Sequence, residues 1–281
     1  KLKHIKKVVQ DWHQDIGKIT EEDVRRLGRI HGVSLSSPCG DFSCLRLLCD
    51  REGYQGSSSS SGADPRPGVD GPTGKLILTG IKIMSWVIKY NPEAHAVIEN
   101  VDFRTLKPSW ETVCGLVGIP AIVNSEDISH TKRVRAWWSR ADITLEAIAK
   151  AATKNVENVD ECFNEGRRAA MYYACGRWSV RPLGAHYKGT DEKPVADSGR
   201  ASLAIDGKTG ELTALHAEEA EVLHGMPRGI TEGEGFSQKE RLELIGRGWD
   251  INASSAVFRA MGIGANQVEN KVDYATMGVT S

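Results

Sequence analysis

Two side chains in this chain have the type and setting that covalent chemistry needs. Cys39 lies in Ser37-Pro38-Cys39-Gly40, directly after an apolar run, where a turn would expose its thiol as a nucleophile. Glu99 follows the apolar residues 96–98, a setting that favours proton donation. Each has an ordinary alternative, because free cysteine is often buried in a core and Glu99 would equally suit a solvated or capping carboxylate.

Arginines supply the candidate anion-binding groups. Arg133 and Arg135 are two residues apart, and in an extended segment both guanidinium groups would lie on one face, where they could bind a phosphate or carboxylate. The commoner alternative is an exposed basic edge strand. A second group mixes basic and aromatic residues and suits phosphate contacts, or else a solvated face. Its members are Arg167, Arg168, Tyr172, Tyr173, Arg177, Trp178 and Arg181.

The hydrophobic pattern predicts the elements that position these residues. Residues 30–36 have the pattern of a strand, 76–90 of a helix and 94–98 of a second, buried strand. A strand, helix and strand with polar groups at the carboxyl ends of the strands predict an α/β fold with a site at that edge of the sheet. Residues 53–74 are rich in Gly, Ser, Pro and Asp and predict a long mobile loop or linker.

The second half of the chain has a less regular pattern. Residues 141–211 carry Gly and Pro punctuation around a helix predicted at 145–152, which indicates a smaller, variable domain. Helices are predicted at 217–223 and at 237–245, the latter opened by a capping box from Ser237 to Glu240.

Composition excludes several classes of protein. The 281 residues are 40% hydrophobic and 26% charged, with a net charge of -1, so a globular protein is expected and any anionic partner must bind to local patches. No segment has the roughly 18 to 20 apolar residues that a membrane helix needs. The six cysteines form no CxxC pair, which argues against a zinc ribbon or a disulfide framework. A soluble, intracellular protein is expected.

The order and spacing of four motifs resemble those of the DNA cytosine-5 methyltransferases. The motifs are the Pro-Cys turn, Glu99-Asn100-Val101, Arg133-Val134-Arg135 and Gly246-Arg247-Gly248-Trp249. The likeness is closest to the de novo animal type, since residues 37–43 are similar to its Ser-Pro-Cys-Asn-Asp-Leu-Ser and residues 241–251 to its Arg-Leu-Leu-Gly-Arg-Ser-Trp-Ser-Val. Residues 221–227 match its Glu-Arg-Val-Phe-Gly-Phe-Pro in type. The resemblance covers about residues 10–145 and 212–260.

The resemblance implies a Rossmann-like S-adenosylmethionine-dependent methyltransferase fold, N-terminally incomplete, with a smaller target recognition domain. The domains expected are a catalytic α/β domain at 1–144, a target recognition region at 145–235, and C-terminal helices at 236–281 that return to the catalytic domain. The family's Phe-x-Gly-x-Gly cofactor loop and its acidic residue for the ribose have no counterpart here. The alternatives are therefore an inactive DNA-binding or scaffolding homologue, or a fragment that needs another chain to bind cofactor.

The same resemblance assigns roles to residues. Cys39 would add to C6 of a flipped cytosine, Glu99 would act at N3, and Arg133 and Arg135 would orient the base. The cofactor would be S-adenosylmethionine, bound by Asp15, Ile16, Pro38, Leu76, Arg247 and Trp249. The partners would be double-stranded DNA and a second copy or another chain, with no metal and a nuclear location if the source is eukaryotic. DNA contacts are expected from Ser43, Asn100, Lys132, Arg140, Arg177 and Arg181.

Overall fold

The computed structural model describes residues 15–43, 64, 66–153, 158–174, 177–180 and 203–263. The chain divides into two compact units. The first unit comprises Lys1–Ile122 and Arg135–Asp142, and the second comprises Val123–Val134 and Ile143–Ser281. The expected domain boundaries at 144 and 235 stay predictions.

The first unit is built on a mixed sheet. The elements in chain order are α1 (Glu21–Arg26), β1 (Gly32–Ser36), α2 (Lys75–Tyr90), β2 (His95–Val101), α3 (Lys107–Val117), β3 (Ala121–Asn124) and β4 (Val134–Ser139). The strand order is β1-β2-β4-β3, with β1 and β2 parallel and β2 and β4 antiparallel. The end of β3 and the first residue of β4 fall in the second unit. The predicted strand, helix and strand are confirmed as β1, α2 and β2.

Helix α2 covers β1 and β2 because its apolar side chains recur at helical spacing. Ile77, Met84 and Val87 are buried, and Gly80 lets the helix approach β1 so closely that an added Cβ would lie 2.4 Å from Leu35. Strand β2 is buried on both faces from residue 96 to residue 100, which is typical of a central strand. The sheet therefore has a rigid centre next to the predicted site.

Residues 66–74 correct part of the predicted mobile loop. They form a compact turn around a short 3₁₀ helix, Gly68–Asp70, with Gly68, Gly71 and Gly74 all buried. A Cβ on Gly74 would lie 1.7 Å from the carbonyl oxygen of Gly68. The glycines of this stretch therefore permit close backbone packing and do not indicate flexibility. Asp64 is also described, whereas residues 53–63 and 65 of the predicted loop lie outside the described residues.

Gly68→Ala is expected to destabilise the first unit by about 2 to 3 kcal/mol. Gly68 has a φ of 58°, and an added Cβ would lie 1.9 Å from Oγ of Ser109. Gly28→Ala is a matched control, because Gly28 also has a positive φ but an added Cβ meets nothing within 4 Å. We expect the control to lose about 1 kcal/mol, measured by urea denaturation. Equal losses for the two variants would contradict the packing role of Gly68.

The second unit combines small antiparallel sheets with four α-helices in its described part. The elements are α4 (Leu145–Ala151), β5 (Arg167–Ala169), β6 (Met171–Ala174), β7 (Arg177–Val180), β8 (Leu203–Asp206), β9 (Leu212–Ala214), α5 (Ala217–Leu223), α6 (Gln238–Arg247) and α7 (Ile251–Ala260). One sheet has the order β5-β8-β9, and β6 and β7 form a separate hairpin. The predicted helices at 145–152, 217–223 and 237–245 are confirmed, as is the capping box of Ser237 and Glu240.

A buried polar network joins α5 to α6. Glu221 is fully buried and accepts hydrogen bonds from the backbone of Gly229, from Thr231 and from the Arg241 guanidinium. Arg241 also pairs with Glu218 and donates to Oγ1 of Thr231. Buried charges of this kind are tolerated only when they are fully paired.

This network makes the protein less stable at acidic pH. Burial, the largest single effect, raises the pKa of Glu221, but the hydrogen bonds from Thr231, Arg241 and Gly229 outweigh it and hold that pKa below 4.5. The pKa of Glu221 is thus lower in the folded state than in the unfolded state. Its ionised carboxylate therefore contributes fully to the free energy of unfolding above about pH 4.5, and this contribution disappears as the pH falls through the folded-state pKa. Urea midpoints from pH 7 to pH 3 check this, and a Glu221→Gln variant should show a shallower fall below pH 4.5.

Within the part of the chain that the structure describes, none of the helices is long and apolar enough to cross a membrane.

Candidate active site

Glu99 is fixed by two partners on the sheet. It lies within β2, is only 5% exposed, and accepts a hydrogen bond from the Ser36 hydroxyl at 2.7 Å. Its other carboxyl oxygen is 3.0 Å from Nε of Arg135 in an ion pair. Ser36 stands opposite Glu99 in the register of β1 and β2, so the serine and the arginine hold the carboxyl group from both neighbouring strands. No local sequence pattern marks Ser36 as a site residue.

The Pro-Cys turn leaves β1 beside this carboxyl group. Asn100 donates from its amide to the hydroxyl of Ser37 at 2.8 Å and to the carbonyl of Ser37 at 3.2 Å. These bonds tie the first residue after β1 to the end of β2. Ser37 precedes Pro38 and Cys39, so the position of the thiol is coupled to the strand that carries Glu99.

Cys39 opens a tight turn and remains half-buried. Its carbonyl oxygen accepts hydrogen bonds from the backbone N–H groups of Phe42 at 3.0 Å and Ser43 at 2.9 Å. The adjacent Asp41 carboxylate accepts from Thr73, through both its N–H and its hydroxyl, and from the N–H of Gly74. Asp41 thereby ties the Cys39 turn to the two residues that precede α2. The predicted turn position of Cys39 is confirmed.

Alkylation should distinguish Cys39 from the buried cysteine Cys162. Cys162 is fully buried, and burial raises the pKa of its thiol to about 11, whereas Cys39 is partly accessible. We expect iodoacetamide at pH 8 to modify Cys39 in the native protein and to leave Cys162 unmodified, because the thiolate is the reacting species. Peptide mass spectrometry after timed quenching measures both sites. Modification of Cys162 at the rate of Cys39 would contradict this placement.

Arg133 and Arg135 do not share one role. Arg135 belongs to β4 and pairs with Glu99, whereas Arg133 precedes the strand and is buried in the second unit. The guanidinium of Arg133 donates to the carbonyl oxygens of Gly246 at 3.2 Å and Gly248 at 2.7 Å. Arg133 therefore fixes the backbone immediately before Trp249, and the expectation that both arginines bind the same group does not fit these bonds.

The residues predicted to bind cofactor have the following positions. Asp15 is exposed and caps a short 3₁₀ turn by accepting from the N–H of Gly17 at 2.9 Å. Ile16 is half-buried and Pro38 is exposed. Leu76 is half-buried in the first turn of α2.

The other two predicted cofactor residues belong to the second unit. Arg247 is exposed and pairs with Glu243 at 3.5 Å. The Trp249 ring is half-buried and lies 5.8 Å from the Phe258 ring. An aromatic residue in this position would also suit the core of the unit.

The residues predicted to contact DNA divide into several groups. Asn100 is 2% exposed and committed to Ser37, so a DNA contact by this side chain does not fit the structure. Arg140 is exposed and donates to the carbonyl oxygens of Pro92 and Ala94. Ser43 and Lys132 are half-buried. Arg177 is in β7, where the structure describes the backbone only, and Arg181 lies outside the described residues.

Arg167, one of the basic residues predicted for phosphate contacts, has a structural role. Its guanidinium pairs with the fully buried Glu219 at 2.6 Å and donates to Thr213 and to the carbonyl of Ala214. These bonds occupy the guanidinium N–H donors that Arg167 would need to bind a phosphate. Arg168, by contrast, is exposed.

Two residues near the Cys39 turn were missed by sequence reasoning. Asp41 and Arg66 are both buried and both hydrogen bonded. The hydrogen bonds of Asp41 come from residues more than thirty positions later in the chain, so no local pattern signals them. Among the described residues, no group of three or more His, Cys, Asp or Glu side chains could hold a metal ion.

Comparison with solved structures identifies the architecture. The S. pombe Dnmt2 methyltransferase aligns with a TM-score of 0.53 and 14% identity, over 89% of this chain and 83% of its own. This chain has the same fold. The Entamoeba histolytica methyltransferase EhMeth aligns with a TM-score of 0.50 and 14% identity, over 92% of this chain and 84% of its own. The expected methyltransferase fold is thereby confirmed. No protein-family model matches the sequence, and no curated protein does.

Proposed function

We propose that this protein is a cytosine-5 methyltransferase that acts on double-stranded DNA through Cys39. The observation that carries the proposal is the cluster of Ser36, Glu99 and Arg135 at the point where β1 runs into the Cys39 turn. A thiol in the turn after β1 and a fixed carboxyl group on the neighbouring strand are the two groups that a cytosine ring needs. The thiol adds to the ring, and the carboxyl group binds the ring nitrogen that gains electron density.

The chemistry follows from the electron distribution of cytosine. C5 is a weak nucleophile until a thiolate adds to C6, when the electron pair displaced from the C5–C6 bond makes C5 electron-rich. In the proposed reaction the Cys39 thiolate forms the bond to C6. Once C5 carries the methyl group, loss of the C5 proton restores the C5–C6 double bond and releases the thiolate. Glu99 stabilises the ring at N3, and Arg135 holds Glu99 in place as a preorganised partner. The base must leave the duplex before a protein thiol can reach C6.

S-adenosylmethionine would supply the methyl group when bound. The residues of the first unit fit its adenine end, because Asp15 offers an exposed carboxylate for an amino group and Ile16 and Leu76 offer half-buried apolar contacts. The sequence contains no glycine loop of the family type for the methionine end. The proposed cofactor contacts in this unit are Asp15, Ile16, Pro38 and Leu76.

The test is transfer of a labelled methyl group from S-adenosylmethionine to duplex DNA, with Cys39→Ala in parallel. We expect transfer to C5 of cytosine by the original protein and none by the variant. A duplex containing 5-fluorocytosine should form a covalent adduct with the original protein only. Transfer that survives in Cys39→Ala would refute the proposed nucleophile, and methylation of a matched RNA but not of DNA would refute the proposed substrate.

The alternative that this test must separate is a homologue that binds duplex DNA without turnover. Such a homologue would not need the thiol of Cys39. It would bind duplex DNA with a steep salt dependence, would show no methyl transfer, and would have the same DNA affinity after Cys39→Ala. A third arrangement, in which a second copy or another chain completes the cofactor site, would give transfer only after that chain is added.

A further inference from the structure

A buried arginine outside the predicted site contacts the turn that carries Cys39. The Arg66 side chain is 1% exposed, and its guanidinium pairs with Asp64. One terminal nitrogen donates to the carbonyl oxygen of Phe42 at 3.0 Å, and the other donates to Oγ1 of Thr105 at 3.0 Å. A charged group is buried at this depth only when good hydrogen bonds compensate for its lost hydration.

The bond to Phe42 closes the Cys39 turn. The N–H of Phe42 donates to the carbonyl oxygen of Cys39, and the carbonyl of the same residue accepts from Arg66. The Phe42 ring is fully buried, with its centroid 4.5 Å from that of Phe103. The backbone N–H of Gly68 donates to the carbonyl oxygen of Asp41 at 3.1 Å. Arg66 and Gly68 thus hold the Cys39 turn in place from outside, in addition to the hydrogen bonds within the turn.

The bond to Thr105 extends this restraint toward the strand of Glu99. Thr105 lies between β2, which carries Glu99, and α3. One guanidinium group therefore joins the nucleophile turn to the segment that follows β2. Lysine could not replace it, because an ammonium group lacks the planar fork that reaches three partners at once.

We infer that Arg66 is a positioning residue for Cys39. It fixes the distance of the thiol from the reacting carbon by holding Phe42 against the segment that contains Thr105. This inference rests on the proposed function for its catalytic consequence. The restraint that Arg66 places on the Cys39 turn does not depend on that function, because it arises from hydrogen bonds within the folded chain.

The test is Arg66→Lys, with Arg104→Lys as the matched control. Arg104 occupies a similar local motif, pairing with Asp102 two residues earlier as Arg66 pairs with Asp64, but its side chain is 56% exposed. We expect Arg66→Lys to lower kcat for methyl transfer about a hundredfold and to leave KM for S-adenosylmethionine unchanged. We expect Arg104→Lys to change neither.

A second readout does not need the proposed reaction. The rate of Cys39 alkylation by iodoacetamide should rise in Arg66→Lys toward the rate of the urea-unfolded chain, because the released turn exposes the thiol. It should stay at the original rate in Arg104→Lys. Thr105→Val tests the same restraint through an exposed partner, and losing one acceptor should lower kcat about tenfold.

The outcomes separate the two ideas. If the original protein transfers no methyl group, the proposed function fails, and the alkylation rates alone decide the role of Arg66. If Arg66→Lys matches Arg104→Lys in alkylation rate, and in kcat where there is transfer, the inference is overturned. If Arg66→Lys does not fold, as judged by circular dichroism, Thr105→Val decides, and an unchanged alkylation rate with unchanged kcat there overturns the inference.

Discussion

Glu99→Gln is expected to lower the kcat of methyl transfer by about 10² to 10⁴. Glutamine keeps the size of the side chain and can still accept the hydrogen bond from Ser36. It cannot share a proton with the N3 position of cytosine, and it leaves Arg135 without the opposite charge that it now contacts at 3.0 Å. The loss therefore falls on stabilisation of the ring during attack, and binding of duplex DNA should be little changed.

Single-turnover methyl transfer with enzyme in excess measures this effect without interference from product release. Glu93→Gln is the control, because Glu93 is an exposed carboxylate that precedes the same strand. We expect the control to keep the original rate. A Glu99→Gln protein that formed the 5-fluorocytosine adduct as fast as the control would show that Glu99 is not needed for the addition step.

Arg241→Met is expected to destabilise the protein by about 3 to 5 kcal/mol. Methionine occupies a similar volume, but it leaves the fully buried carboxylate of Glu221 without its cationic partner and Thr231 without a donor. The penalty comes from the uncompensated charge that remains, which costs more than the intact ion pair contributes.

Urea denaturation followed by circular dichroism measures this loss, with Lys239→Met as the control. Lys239 is exposed on the same helix, so its replacement should change the free energy of unfolding by no more than about 0.5 kcal/mol. The double variant Glu221→Gln with Arg241→Met should recover part of the stability, since it removes both charges. A loss for Arg241→Met as small as the control value would show that the network contributes little.

Local patterning predicted the elements of the site well. Hydrophobic periodicity predicted the strand at 30–36, the helix at 76–90 and the strand at 94–98. This periodicity is a property of residues close together in the sequence. The structure has them as Gly32–Ser36, Lys75–Tyr90 and His95–Val101. The position of Cys39 in a turn after a strand follows from the same pattern together with the proline and glycine on either side of it.

Long-range packing explains what the sequence could not predict. Asp64 with Arg66 and Asp102 with Arg104 are the same motif in sequence, yet one arginine is buried and the other is exposed. The difference arises from Phe42, a neighbour distant in the chain. In the same way, the glycines of residues 66–74 have the composition of a loop, but they pack tightly because Ser109 and Asp41 approach them.

The contact between Phe42 and Arg66 has a consequence for how this chain could vary over evolution. It brings the two ends of the intervening chain together within the folded unit. A backbone carbonyl is present whatever residue occupies position 42, so the side chain there can change within the limits of its packing against Phe103. Arg66 has no such freedom, because its guanidinium group must reach Asp64, Phe42 and Thr105 together.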